Sequence, residues 1–147
     1  MSNTKESRPT LRAGLRHTER MVVTPSHTVP QLADWPGFSD MPPVFATAMM
    51  VGFMEQTCIQ ALRPYLEEGQ RTVGTHVDMS HVAATPVGME VEAAVELVDI
   101  QGKALTFKVV CRDAAGPIGQ GLHRRAIIDL QRFEQRLAEK TTATAAR

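Results

Sequence analysis

Apolar and polar residues alternate with a period of two along the second half of the chain. Between Met89 and Ile100, Val91, Ala93, Val95 and Leu97 fall on one side and Glu90, Glu92 and Glu96 on the other. That is the signature of a strand with one buried face. Gln101-Gly102 follows as a tight-turn signal. Leu105, Phe107, Val109 and Cys111 then line one face of a next strand. Ala115-Gly116-Pro117 turns again, and Ile118 to Leu130 reads as a long last strand. Gln131 to Lys140 is amphipathic with a helical period. Thr72 to Ala84 alternates in the same way as the other strands, and His17 to Thr24 makes a first strand.

The stretch from Pro25 to Pro43 behaves differently. Pro25, Pro30, Pro36, Gly37, Pro42 and Pro43 punctuate it, so regular structure is not expected there. An ordered loop of this length often covers or lines a binding site. Pro43 suits the first turn of a helix, where its missing N–H costs nothing. The helix is expected to run to about Tyr65, with Pro64 and Gly69 marking its end. Val44, Phe45, Met49, Met50, Val51, Phe53, Met54, Ile59 and Leu62 make most of its faces apolar. Such a helix must be wrapped by other elements.

Strand, loop, buried helix and four further antiparallel strands give an α+β domain. A sheet wrapped round a central helix is the hot-dog arrangement, and an unspecified α+β fold accounts for the same elements. One face of one sheet cannot cover a helix that is apolar nearly all round, so a lid or a second copy should cover the remainder. Residues 1–12 and 141–147 read as flexible tails around a single domain, 13–140.

Composition narrows the function. Formal net charge is zero over 147 residues and no block of like charge occurs, against a nucleic-acid binder or electrostatic membrane docking. The N-terminus lacks the apolar stretch of a signal peptide, and no apolar run approaches the roughly 20 residues of a bilayer span. A soluble cytoplasmic protein is expected. Cys58 and Cys111 fall in different elements and read as buried thiols.

Three residues stand out as chemistry. Glu55 sits mid-helix among apolar neighbours, and burial would raise its pKa toward that of a general base. A narrow solvated stripe with Gln56 and Thr57 is the plainer reading. Thr47 lies two i, i+4 steps before Glu55, on the same helix face, in the first turn where free N–H groups can bind an oxyanion. Its hydroxyl could instead bond back to the helix backbone. Strand parity places His81 with Val77 and Met79 on the inward face and His76 on the outward one. An inward histidine can be a hydrogen-bonded core residue. Facing a helical carboxylate, it makes an acid–base pair. The bulky Phe45, Met50 and Met54 near Thr47 and Glu55 suggest that any pocket beside them is small. No HxH, HExxH, CxxC or GxSxG spacing and no phosphate-cradling glycine motif occurs, so no metal or other cofactor is expected.

Three segments carry a resemblance. They are Val44-Phe-Ala-Thr-Ala-Met-Met-Val-Gly-Phe-Met-Glu, Gly74-Thr-His-Val-Asp-Met-Ser-His-Val-Ala-Ala-Thr-Pro-Val-Gly and Gly121-Leu-His-Arg-Arg-Ala-Ile-Ile. Together, at these intervals, they resemble the fluoroacetyl-CoA thioesterase family from about Arg16 to Phe133. The resemblance implies a hot-dog homodimer whose sheets join, with active sites near the interface. It implies that Thr47, Glu55 and His81 act together, that Arg125, the family's last-strand arginine, holds the substrate or the CoA phosphates, and that Gly74 lies near the thioester. Phe38 matches one position of the family's aromatic lid, and Met41 stands where a second phenylalanine is expected. The expected function is hydrolysis of a short or compact acyl-CoA, with Phe38, Met41 and Phe45 beside the acyl group. A non-catalytic acyl-CoA-binding protein and a hot-dog hydratase or dehydratase are the alternatives.

Overall fold

A computed structural model describes residues 8–32 and 34–145. Residues 1–7 and 146–147 of the two expected tails lie outside the described residues. Strand β1 (Arg16–Val22) leads through short 3-10 turns at Pro25–His27, Val29–Gln31 and Pro36–Phe38 to helix α1 (Thr47–Leu62). Strands β2 (Gln70–Met79), β3 (Glu90–Gln101), β4 (Ala104–Asp113) and β5 (Gly116–Asp129) follow, then helix α2 (Leu130–Ala145). The five strands form one antiparallel sheet in the order β1-β3-β4-β5-β2.

The period-two pattern is realised directly. Val91, Ala93, Val95 and Leu97 of β3 and Leu105, Phe107, Val109 and Cys111 of β4 are buried. They pack against Met50, Phe53, Met54, Cys58, Ala61 and Leu62 of α1. At about 25 cal/mol per Å², burying a large apolar side chain contributes roughly 1.5–3 kcal/mol. Gly102 takes φ 61° in the β3–β4 turn, a left-handed conformation that glycine adopts without strain.

Helix α1 begins at Thr47, four residues later than Pro43 suggests. Val44 and Phe45 are extended instead. Val44 O accepts from Val29 N–H at 3.2 Å, and Phe45 N–H donates to Thr85 O at 2.9 Å. The first bond closes the loop before α1 on itself and the second ties its end to the segment after β2, and a helix here would break both. Proline favours a helix start but does not require one.

Seven of the sixteen α1 residues are buried, while Ala48, Gly52 and Gln56 form an exposed stripe. The sheet thus covers one side of the helix, as expected. The outer edge of β2 pairs with no strand among the described residues, and Val77, Val82 and Leu122 nearby are exposed. Helix α2 runs through residues 141–145, part of the expected tail, with no buried side chain. No described helix is long and apolar enough to cross a membrane.

Candidate active site

The site gathers where α1 faces β2 and β5. Thr47 is the first residue of α1, and Ala46 before it has no side-chain oxygen to cap the helix. The leading N–H groups are therefore open to another acceptor. Thr47 Oγ1 and His81 Nδ1 are 2.7 Å apart. His81 reaches this position because the chain keeps pairing with β5 beyond β2, through Ser80 N–H to Gln120 O and Val82 N–H to Ile118 O. Its Nε2 is buried with no hydrogen-bond partner among the described residues. Burial lowers the His81 pKa from its ordinary value, opposed by the Ala83 backbone.

The second group of residues forms around Glu55. Its carboxylate Oε2 accepts from Arg125 Nη1 at 2.7 Å. Arg125 is itself buried on β5. Arg125 Nε donates to Thr72 Oγ1 at 2.9 Å and Nη2 to Thr72 O at 2.9 Å. The guanidinium is thus clamped between β2 and α1. The apolar neighbours of Glu55 predict burial, yet its side chain keeps 35% exposure. It lies beside Gly74 of β2, the edge strand of the sheet. A guanidinium partner takes the place of the expected desolvation.

Gly74 makes the approach possible. A Cβ there would stand 2.8 Å from Glu55 Oε2 and 3.3 Å from both Arg125 Nη1 and His123 Cε1. The β2–β5 register shifts between Gly74 and His76. The bulge takes up Thr75, so Gly74 faces Arg125 while Val77 faces His123. Strict alternation would put Thr75 on the inner face.

Thr47 and His81 meet, and Glu55, Arg125 and Gly74 meet. No hydrogen bond or ion pair joins His81 to Glu55 among the described residues. Thr47 and Glu55 share a face, but eight residues at 1.5 Å each separate them by about 12 Å along the axis. In the loop before α1, Phe38 is partly buried and packs edge-on against Trp35 at 5.7 Å, while Met41 is 46% exposed. Phe45, Met50 and Met54 are wholly inside the core. Phe45 lies on the extended segment before α1, and Met50 and Met54 lie on the buried side of α1. His123, on the same strand face as Arg125, belongs to the site and does not stand out in the sequence. Its spacing, two residues before Arg125 on a strand, is the available signal.

No three His, Cys, Asp or Glu side chains converge as a metal site among the described residues. Burial pushes the Cys58 thiol up to about 12 and the Cys111 thiol to about 11, so neither is a ready nucleophile.

The model of the fluoroacetyl-CoA-specific thioesterase family matches residues 23–131, a span that holds every one of these side chains. The chain belongs to this family. A fluoroacetyl-CoA thioesterase of Streptantibioticus cattleyicolor is 42% identical over 134 residues, 90% of this chain and 96% of that protein. A solved fluoroacetyl-CoA thioesterase structure is similar at TM-score 0.87 and 41% identity, covering 90% of this chain and 98% of its own. A thioesterase-superfamily member from Thermus thermophilus is similar at TM-score 0.81 and 26% identity, covering 97% and 99%. The hot-dog fold and the thioesterase family expected from the sequence are both borne out.

Proposed function

We propose that this chain hydrolyses a short or compact acyl-CoA to the free acid and CoA, as a homodimer whose active sites lie between the two copies. The observation that carries the reading is the partly exposed Glu55 carboxylate, held at 2.7 Å by a clamped arginine. Glu55 takes a proton from water as the water oxygen bonds to the thioester carbonyl carbon. Alternatively, its oxygen attacks that carbon to give an anhydride that water then opens. In either route the C–S bond breaks and the sulfur leaves as the thiol of CoA. The carbonyl oxygen is received by Thr47 and the uncapped N–H groups of α1, an arrangement suited to a developing oxyanion. His81 shuttles a proton to the departing sulfur. Arg125 and Gly74 set the Glu55 carboxylate, and Phe38 and Met41 close over the acyl group. Hydrolysis by this route requires only water and no cofactor.

The 12 Å between Thr47 and Glu55 argues for the dimer. Both cannot touch one thioester from one helix. A two-fold axis that sets two α1 helices antiparallel brings the Thr47 end of one beside the Glu55 end of the other. The open β2 edge supports the same reading, because unpaired edges invite another strand. Sedimentation at micromolar concentration should give about twice 16.1 kDa.

Free-thiol release across acetyl- to palmitoyl-CoA, with fluoroacetyl-CoA beside them, tests the activity. Turnover should be greatest for short chains. Exposed, flexible Met41 should give fluoroacetyl little advantage over acetyl. Tight binding without release would make the chain an acyl-CoA-binding protein instead.

A further inference from the structure

We infer that His123 is a positioning residue of this site: a neutral imidazole, its proton on Nδ1, that holds the Arg125 guanidinium against the Glu55 carboxylate. The inference rests on the reading of Glu55 as the reacting carboxylate.

The partners of His123 fix its tautomer. The side chain is fully buried on β5. Its Nδ1 lies 2.8 Å from His76 O. A carbonyl can only accept, so Nδ1 carries a proton. Nε2 lies 3.1 Å from Arg125 Nη1. A guanidinium nitrogen can only donate, so Nε2 must present a lone pair. Only the neutral Nδ1–H form satisfies both contacts.

The two protons of Arg125 Nη1 are then both used, one toward Glu55 at 2.7 Å and one toward His123 at 3.1 Å. With the bonds to Thr72, four of the five guanidinium donors have partners. The guanidinium cannot rotate off Glu55 without breaking the others. The backbone supplies the other end of the chain of contacts. The β2 bulge sits next to His76, whose carbonyl anchors the imidazole. The path therefore runs from the bulge through His123 and Arg125 to Glu55, with His123 Nε2 still 3.9 Å from the carboxylate.

The charged and titratable groups facing His123 are Glu55 of α1, His76 of β2 and Arg125 of β5. Burial is the largest influence on its pKa and lowers it, and Arg125 lowers it further. Both favour the neutral ring that the geometry requires.

Two variants separate the two bonds of the ring. Asparagine places its amide N–H close to Nδ1 and keeps the bond to His76 O, but offers Arg125 nothing. Glutamine places its carbonyl oxygen near Nε2 and keeps the acceptor for Arg125. His123→Asn should lower kcat by about a hundredfold with KM little changed, the scale of a slightly misplaced reacting group. His123→Gln should recover most of that loss. Equal losses in two folded variants, or no loss in either, overturn the inference. Nitrogen-15 NMR of the unmodified protein near neutral pH gives an answer even if neither variant folds. A neutral Nδ1–H ring at His123, assigned through its backbone, supports the inference. An imidazolium or an Nε2–H ring overturns it. Glu55→Gln measured alongside keeps the two readings apart. Full activity in that variant would remove the role of Glu55, while the His123 tautomer would be read independently.

Discussion

His81→Ala and Glu55→Gln, each nearly inactive alone, should rescue one another when the two chains are mixed. On the proposed roles of Glu55 and His81 as acid–base groups, either change should lower turnover by at least about a hundredfold. Their placement predicts more. His81 sits at the N-terminus of α1, 2.7 Å from Thr47, and Glu55 lies two helical turns further on. The resulting separation of about 12 Å is several times the reach of one hydrogen bond. If each site takes the Thr47–His81 pair from one copy and Glu55 from the other, a mixed dimer has one intact site and one doubly damaged site. Random exchange makes about half the dimers mixed, so the mixture should show about a quarter of wild-type activity. The assay is thiol release after equal amounts of the two variants are unfolded together and refolded, with each variant refolded alone as control. If each site were built within one chain, every site in the mixture would carry a defect. Activity no greater than that of the separate variants would then refute the shared site.

Gly74→Ala should lower kcat by about tenfold or more while the protein stays folded, because the new methyl would stand 2.8 Å from Glu55 Oε2 and push the carboxylate off Arg125. Circular dichroism beside the thiol assay checks both halves of that statement. Unfolding free energy should fall as pH drops below 6.5, the ordinary value for histidine, because His81 and His123 both titrate lower when folded. Between the folded and unfolded pKa values the unfolded chain binds more protons, so stability rises with pH and levels off above 6.5. Denaturant melts at several pH values should show this slope, and His81→Ala should flatten it. Iodoacetamide should leave Cys58 and Cys111 unlabelled in the native protein and label both after unfolding, since burial raises both thiols and blocks access. Rapid native labelling, read by mass spectrometry, would contradict the packing.

The elements are legible in the sequence because their signals are local. A half-buried strand must alternate, so the alternation alone names the core faces of β3 and β4 residue by residue. The three resembling segments carry the family, and with it the expectation that Thr47, Glu55, His81, Gly74 and Arg125 form the site. What the sequence leaves open depends on contacts between distant residues. Pro43 permits a helix, but Val44 and Phe45 stay extended because Val29 and Thr85 offer them backbone partners. Glu55 among apolar neighbours suggests desolvation, and only the fold shows that Arg125, 70 residues away, pairs with it. Simple parity puts Val77, Met79 and His81 on one face, yet it cannot foresee the bulge that lets Gly74 face Arg125. His123 stays hidden for the same reason. Periodicity records which face of a strand a side chain takes. What waits on that face is decided by where the chain returns, and tertiary structure alone settles that.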